Sequence, residues 1–507
     1  MPGLDQEVLE RIKVDIRSDF ILAPHYNIIF NNAGDTMWEQ LSQQLRSGSY
    51  QPELPITMTV PKPRWFSRPG SILKPYDRFL YQALTDEISD DLERTLDRSR
   101  TFSHIPTNQA ESVFLPNHQS WETFQRKVSI ICEANEFVLR ADISNYFERI
   151  PQHHLINLMR SAGCSSSVMN LLEEMLLAFQ ERNSFGIIQG VFPSDLLGNF
   201  FLSDFDAYCE LIDVASARYV DDIYMGFDSE SEARNGLAAL IERLRKDGLH
   251  LNEYKTSILR SSELEREETT IDRLFDQVRT EIEDTQFYEM SGRYGFDADW
   301  NEDEDEDEEF EPINLDIATV ERLLSNIGDH QTHADQIEKF CLPILRLTNT
   351  DSAVDFVIGR LQEKPQQTRL YFSYLSAFVR TSPDLVASLE DLMTEDLHLT
   401  DYQKMYLLAA LLKSDRIERS TVNKALNWLR SREIAQETRA MAAVFAARNG
   451  TAPQRREVRT MYEGEPSEYV RAAILYSARH FNPVERQTCK RAWGGHNSIN
   501  ALISQAF

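Results

Sequence analysis

The chain has 507 residues, of which 42 % are hydrophobic and 26 % are charged, and this length and composition are typical of a globular protein with about three domains. The polar start, Met1 to Glu7, does not resemble a secretory signal, and no run of 18 apolar residues predicts a membrane span. Five scattered cysteines without a C-x-x-C pair favour a reduced, cytoplasmic compartment. The net charge of -28 argues against broad binding to duplex nucleic acid, but not against a local basic cleft.

Three regions differ in sequence texture. Residues 1–260 mix helical and strand-like segments that are bounded by Gly, Pro and Asn. Residues 261–312 are charged throughout and include an unbroken acidic run at 302–309, which should stay extended and solvated and so predicts a connector. Residues 313–507 have helical spacing nearly everywhere. We therefore predict three domains with these boundaries.

The densest basic stretch comes first, at residues 60–78. It contains Lys62, Arg64, Arg68, Lys74 and Arg78, interleaved with prolines and aromatic residues. Each of these cations could be an ordinary surface residue. In an acidic chain, however, such a stretch is a candidate for binding an anionic ligand.

The next informative segment, residues 136–147, is apolar up to Asp142 and continues as Ile-Ser-Asn-Tyr-Phe147. This pattern predicts a strand that ends at Asp142. Further on, Gln189 and Gly190 are followed by Pro193 and Ser194, which predicts a glycine turn and then a helix opened by the proline and the serine. Taken alone, this second segment is more often a plain helix start than a binding site.

Two adjacent aspartates, Asp221 and Asp222, lie between β-forming residues, which predicts a hairpin with the pair at its tip. A solvated turn is the usual explanation for such a pair. Adjacent like charges repel, however, so local structure does not favour them without a cation. Nucleotidyl transfer uses two magnesium ions about 3.5–4 Å apart, held by aspartates at strand ends or in turns. Asp142 and this pair meet that requirement.

The segment Gly248–Ile258 carries Lys255. Lysines on exposed strands are common, so an ordinary surface residue is the alternative. Close to a leaving pyrophosphate, the same ammonium group would serve as a general acid.

Short helices fill residues 313–507. Apolar residues recur at three- and four-residue spacing, as in Ile337, Phe340, Cys341 and Ile344, and Ser-Pro at 382–383 and Asn-Pro at 482–483 are helix starts. We predict ten to twelve helices in stacked pairs of the HEAT kind. Because no repeat consensus is visible, an irregular bundle remains the alternative.

In order and spacing, these segments resemble the palm and fingers of a reverse transcriptase. Residues 142–147 resemble the first palm motif, 189–199 the Q-G…S…N motif, and Tyr219-Val-Asp221-Asp222 the Y-x-D-D hairpin. The basic stretch resembles the fingers of group II intron and retron-type enzymes. Phe192 and Asp195 stand where related enzymes usually carry proline. The resemblance covers residues 40–260 and implies an α+β fold, a right-hand fingers and palm followed by an all-α, HEAT-like helical-repeat domain.

The resemblance also implies a metal site. It would hold two Mg²⁺ ions, with Mn²⁺ as an alternative, and Lys255 would protonate the leaving pyrophosphate. The implied metal ligands are Asp142, Ile143 (whose only oxygen is its carbonyl), Asp221 and Asp222.

The nucleotide-binding residues implied by the resemblance come from three segments. Lys62 and Arg68 would meet the triphosphate, where fixed cations stabilise developing charge. Gln189 would hydrogen-bond the base or sugar, and Gly190 would let the backbone approach the nucleotide. Phe147 would exclude a 2′-hydroxyl by steric overlap, although a core aromatic is the alternative.

The overall architecture, a palm followed by a long helical region, resembles the abortive-infection (Abi) reverse transcriptases of bacterial phage defence, most closely the P2-prophage type. That resemblance implies template-independent synthesis from dNTPs, a single-stranded DNA product attached to a protein hydroxyl, a homo-oligomer and a location in the bacterial cytoplasm. No motif marks the priming residue; Tyr26, Tyr50 and the tyrosines between 402 and 476 are eligible. The alternatives are an RNA-templated, retron-like reverse transcriptase and a catalytically idle phage-sensing scaffold.

Overall fold

The computed structural model describes residues 4–107, 113–115, 117–264, 266, 317–328, 333–394 and 398–507. Almost all of the predicted connector at 261–312, including its acidic run, lies outside the described residues. The chain divides into two compact units, each built from separated segments. The first unit comprises Met1–Asp15, Tyr50–Pro55 and Tyr76–Gln277, and the second comprises Ile16–Ser49, Ile56–Pro75 and Val278–Phe507. The domain boundaries at 260 and 312 stay predictions.

The helices of the described residues are, in chain order, α1 (Leu4–Asp15), α2 (Pro24–Asn32), α3 (Gly34–Ser47), α4 (Pro75–Glu93), α5 (Asn117–Ala134), α6 (Tyr146–Arg149), α7 (Gln152–Ser161), α8 (Ser166–Phe179), α9 (Phe192–Phe201), α10 (Ser203–Leu211), α11 (Glu230–Lys246), α12 (Ile317–Ser325), α13 (Ala334–Leu347), α14 (Val354–Arg360), α15 (Thr368–Ser376), α16 (Pro383–Thr394), α17 (Asp401–Leu411), α18 (Arg419–Arg430), α19 (Gln436–Asn449), α20 (Ala452–Met461), α21 (Glu468–Ser477), α22 (Pro483–Trp493) and α23 (Ser498–Ala506). The strands are β1 (Ile56–Pro61), β2 (Ser67–Ile72), β3 (Phe137–Asp142), β4 (Ser216–Tyr219), β5 (Asp222–Phe227) and β6 (Ser257–Arg260).

The first unit is built around an antiparallel sheet in which the described strands run in the order β4-β5-β3-β6. Side chains alternate between its two faces. On one face, Phe124 and Val128 of α5 pack with Val138 and Ala217. On the other, α11 approaches so closely that a Cβ on Gly236 would lie 2.2 Å from the Phe227 ring. Helices on both faces therefore fix the sheet, and with it the strand ends at Asp142 and Asp222.

Three local predictions for this unit can be compared with the structure. β3 ends at Asp142, and a two-residue turn, Val220 and Asp221, joins β4 to β5, so the predicted strand end and hairpin are confirmed. The predicted helix after Gly190 is also present, but α9 starts at Phe192. Ser194 therefore lies in the first turn and shares a hydrogen bond of 2.9 Å with the Tyr81 hydroxyl instead of capping the helix.

The second unit contains the β1–β2 hairpin and a row of helices. In this row each helix packs on the next but one, through α13, α15, α17, α19, α21 and α23, and α2 packs against α23. Helices begin at Pro383 and Pro483, as predicted, and the Asn482 side chain caps the second of these. From residue 317 onward the described residues form twelve α-helices, within the predicted number. The HEAT-like repeat stays a prediction.

None of the described helices combines the length and the apolar character that crossing a membrane would require.

Candidate active site

The candidate carboxylates meet at one end of the β4-β5-β3-β6 sheet. Asp142 of β3 lies directly opposite Asp222 of β5 in the antiparallel register. Asp221 occupies the turn beside them, and its carbonyl accepts a hydrogen bond of 3.3 Å from the Ile143 backbone N–H. The sheet therefore brings Asp142 together with a pair of aspartates that lies about eighty positions further along the chain.

A second segment ties Lys255 to the same place. The backbone N–H of Ser144 donates to the carbonyl of His250 (2.8 Å), and that of Asn252 donates to the carbonyl of Asp142 (2.7 Å). A tight turn follows, in which the Tyr254 N–H donates to Asn252 Oδ1 (3.1 Å). The turn carries Lys255 onto Asp142, with Nζ 2.7 Å from Oδ1.

The charges at this site are unbalanced. Burial, followed by the charges of Asp222 and Asp142, raises the pKa of Asp221 to about 7. Burial and the charge of Asp142 raise the pKa of Asp222 to about 6. Partial burial acts to lower the pKa of Lys255, but the hydrogen bond and charge of Asp142 outweigh it and raise that pKa. Lys255 acts on both residues of the pair and Arg140 on Asp222, yet the pKa of each aspartate stays raised, so further positive charge would stabilise the ionised forms.

The donor chemistry fits divalent cations, because carboxylate and carbonyl oxygens are the ligands that Mg²⁺ prefers. Reverse-transcriptase-type polymerases generally use such ions. Within the part of the chain that the structure describes, no group of three or more His, Cys, Asp or Glu side chains is already arranged as a metal cluster. The residues present therefore fit the ions by charge and donor type, although their side chains are not preassembled around a metal.

A buried polar network, which the sequence reasoning missed, supports the hairpin. Its members are Thr101, Ser103, Asn199, Asp206 and Arg218, and we call it the hairpin support network. Arg218 is 1 % exposed and binds both oxygens of Asp206 through Nε at 2.9 Å. It also donates to the Asn199 side chain (2.7 Å) and carbonyl (2.8 Å). The network joins β4 to α9 and α10.

Val220, at the hairpin tip, has an unusual backbone. Its φ of 55° lies in the left-handed region, which a β-branched residue rarely adopts. Its N–H donates to Ser103 Oγ (3.0 Å), and its carbonyl accepts from Arg218 (3.3 Å). The only sequence signal for this network is the presence of Arg218 next to the Y-x-D-D motif. Its partners Asp206 and Asn199 lie 12 and 19 positions away, and Thr101 and Ser103 belong to a separate segment far upstream.

Phe147, the predicted steric gate, is 7 % exposed. Its ring lies against Gly198 of α9, where an added Cβ would be 2.8 Å from the ring edge. The neighbouring Tyr146 hydroxyl donates to the Gly198 carbonyl (2.5 Å). The ring position is thus fixed by close packing on α9, and its role as a gate stays a prediction.

Gln189 and Gly190 lie in the same unit, in the segment that leads into α9. Gly190 has a φ of 96°, so this turn requires a residue without a side chain. Gln189 is half-buried. Their contact with a nucleotide stays a prediction.

Lys62 and Arg68 belong to the other compact unit, on and beside the β1–β2 hairpin. The Arg68 guanidinium lies over the Phe20 ring, 4.3 Å from its centroid. The hairpin is tightly packed at Gly70, where a Cβ would lie 2.5 Å from a Val60 methyl group. The predicted contact of both cations with a triphosphate remains untested.

Most of the tyrosines considered as priming residues are inaccessible. Tyr26 is 3 % exposed, and the tyrosines between 402 and 476 are 0–4 % exposed. Tyr50 is half-buried and donates its hydroxyl to Asp77 (2.6 Å). Among the tyrosines of the described residues, Tyr254 alone has an exposed side chain, at 91 %.

Part of the chain matches a known protein family. Residues 60–292 match the family described as reverse transcriptase (RNA-dependent DNA polymerase). A reverse-transcriptase domain is therefore present, and it supports nucleotidyltransferase chemistry of the polymerase type. No curated protein matches the chain.

Several solved polymerases are weakly similar in structure. The apo telomerase of Candida tropicalis has a TM-score of 0.32 and 10 % identity over 93 % of this chain and 74 % of that one. The telomerase of Candida albicans, solved with a fragment of telomeric RNA, has a TM-score of 0.31 and 10 % identity over 90 % of this chain and 70 % of that one. The RNA-dependent RNA polymerase of a human picobirnavirus has a TM-score of 0.28 and 11 % identity over 63 % of this chain and 61 % of that one.

Proposed function

We propose that this protein is a DNA polymerase of the reverse-transcriptase type that acts in bacterial anti-phage defence by abortive infection. It synthesises single-stranded DNA from dNTPs without a template, and it starts from a hydroxyl group of the protein itself. The single observation that carries the polymerase activity is the meeting of Asp142 with Asp222 across β3 and β5, with Asp221 in the adjoining turn.

The chemistry follows from this arrangement. Asp142, Asp221 and Asp222 would hold two Mg²⁺ ions, whose positive charge would activate the attacking hydroxyl and neutralise the leaving pyrophosphate. The two-residue turn and the sheet register hold the carboxylates in place. Lys255, which is mostly exposed and hydrogen-bonded to Asp142, would donate a proton from its Nζ to the departing oxygen.

Template independence and priming by the protein take their support from the resemblance to Abi reverse transcriptases, as do the bacterial cytoplasm and the homo-oligomer. An attachment site must reach solvent, and burial argues against Tyr26 and the tyrosines at 402–476. Tyr254 meets this requirement among the described tyrosines, and exposed serine or threonine hydroxyls are equally eligible chemically.

A second candidate is RNA-templated synthesis of the retron kind. The matched family is itself described as an RNA-dependent DNA polymerase, and this description favours the second candidate.

One experiment separates the candidates. Purified protein is incubated with Mg²⁺ and labelled dNTPs, with and without an RNA template, and is then resolved on a denaturing gel. The proposal expects a labelled smear without template that collapses with nuclease and migrates freely after protease. Label that requires added RNA would establish the second candidate.

The defence role needs a separate test in cells. The proposal expects the D221A/D222A double variant to lose protection against phage at wild-type protein levels. Protection that survives this change would instead establish the catalytically idle scaffold.

A further inference from the structure

The catalytic hairpin carries its strain at Val220, between the motif tyrosine and the first aspartate of the pair. Turns of this kind usually place Asn, Asp or Gly where φ is positive, because a branched side chain clashes with its own backbone. Here the residue is valine, with a φ of 55°. Something outside the turn must hold this conformation, since the local sequence opposes it.

The hairpin support network supplies that hold. Ser103 Oγ accepts the Val220 N–H (3.0 Å) and donates to the Asn199 side chain (3.0 Å). Arg218 donates to the Val220 carbonyl (3.3 Å). Both peptide groups of the strained residue are therefore fixed by side chains that are themselves fully buried.

The network is rigid because its members bind one another several times. Thr101 donates to Asp206 (2.7 Å), Asp206 accepts from Arg218, and the Asn199 amide donates to the Ser103 carbonyl (2.9 Å). A planar guanidinium group that binds several fixed partners loses little conformational entropy, and it orients the groups to which it donates hydrogen bonds.

We propose that Ser103 and Arg218 are positioning residues: they hold the Val220 peptide in its left-handed conformation and thereby set the position of the Asp221 carboxylate. The inference rests on the proposed polymerase function. It extends that function because Asn199 belongs to α9, the helix that follows Gln189 and Gly190. One buried network thus ties the metal-binding hairpin to the segment predicted to contact the nucleotide.

The test uses Ser103→Ala in the full-length protein. Arg218→Lys is less suitable, because it leaves the buried Asp206 with too few partners and risks unfolding. Without the Ser103 hydroxyl, Val220 relaxes and Asp221 moves. We expect kcat to fall about 10- to 100-fold, which is the usual cost of losing a group that orients a metal ligand. The Mg²⁺ concentration for half-maximal activity should rise, and the KM for dNTP should stay close to that of the wild type.

Two further variants make the test specific. Thr85→Val is the matched control, since Thr85 is a buried hydroxyl of the same unit that donates to the Tyr81 carbonyl of its own helix, α4 (2.8 Å). It should leave the Mg²⁺ dependence unchanged. Val220→Asn introduces a residue that tolerates a positive φ. In the Val220→Asn background, Ser103→Ala should lower kcat by a clearly smaller factor than it does in the protein with Val220.

The outcomes are distinguishable. If the wild type incorporates no nucleotide under any condition, the proposed function fails. If the wild type is active and Ser103→Ala keeps the kcat and Mg²⁺ dependence of Thr85→Val, the positioning role is overturned. An equal loss from Ser103→Ala in the valine and asparagine backgrounds would also overturn it, because the hydroxyl would then not act through the strained peptide.

Discussion

Removing the carboxylate of Asp221 should stabilise the metal-free protein at high pH. Its pKa is raised to about 7, whereas an aspartate in an unfolded chain titrates near 4. The folded state therefore holds the proton more tightly than the unfolded state. Ionisation of Asp221 therefore destabilises the folded state. This destabilisation is absent below pH 4, grows between about pH 4 and 7, and is complete above pH 7.

The size of the effect follows from the shift. Three pKa units correspond to about 4 kcal/mol at most. Partial exposure of the side chain and shared titration with Asp222 reduce this, so we expect Asp221→Asn to raise the free energy of unfolding by about 2 kcal/mol at pH 8. At pH 4 the two proteins should be nearly equal, because the wild-type carboxyl is then protonated.

Urea unfolding of the first unit, followed at pH 4 and pH 8 with a chelator present, measures this difference. Asp228→Asn is the control, since Asp228 follows the same strand but is exposed. Mg²⁺ should stabilise the wild type at pH 8 much more than it stabilises Asp221→Asn. A variant that is destabilised at both pH values, or an equal effect of Mg²⁺ on both proteins, would refute the electrostatic reasoning.

Three other predictions concern separate parts of the molecule. Lys255→Ala should lower kcat about 100-fold with little change in the KM for dNTP, as expected for loss of a general acid. Steady-state kinetics measures both constants. Lys246 is an exposed lysine, and a loss from Lys255→Ala no larger than that from Lys246→Ala would count against the general-acid role. Gly198→Ala should displace the Phe147 ring and destabilise the first unit by about 1–3 kcal/mol. It should also alter the preference for dNTP over rNTP in competition assays. Unchanged discrimination between the two nucleotides would argue that the ring is not a gate. Burial raises the pKa of the Glu437 carboxyl to about 7. Glu437→Gln should therefore raise the free energy of unfolding of the second unit by about 3 kcal/mol at pH 8 and by very little at pH 4.5. If the substitution changed the thermal melting temperature equally at both pH values, this explanation would be disproved.

The parts of the site that are local in sequence were predictable. β-forming residues around Asp221 and Asp222 predicted a hairpin, and an apolar run predicted a strand that ends at Asp142. Both were confirmed because short-range pattern determines them. The reverse-transcriptase domain was recognisable for a related reason, since its motifs occur in a fixed order.

The missed parts depend on contacts that are distant in sequence. Nothing near Arg218 reveals that Asp206 and Asn199 bind it, because a buried ion pair has no periodicity of its own. The left-handed Val220 contradicts its local propensity, which is overridden by those tertiary hydrogen bonds. For the same reason, the sequence did not predict that the β1–β2 hairpin, in the first half of the chain, would join the compact unit that contains most of the helices.

The most direct test of the polymerase proposal is nucleotide incorporation by the wild type and by Asp142→Asn at equal protein levels with Mg²⁺. The account predicts labelled DNA from the wild type and a loss of at least about 1,000-fold in the variant, because Asp142 would be one of the residues that hold the metal ions. Incorporation by Asp142→Asn at the wild-type rate would contradict it.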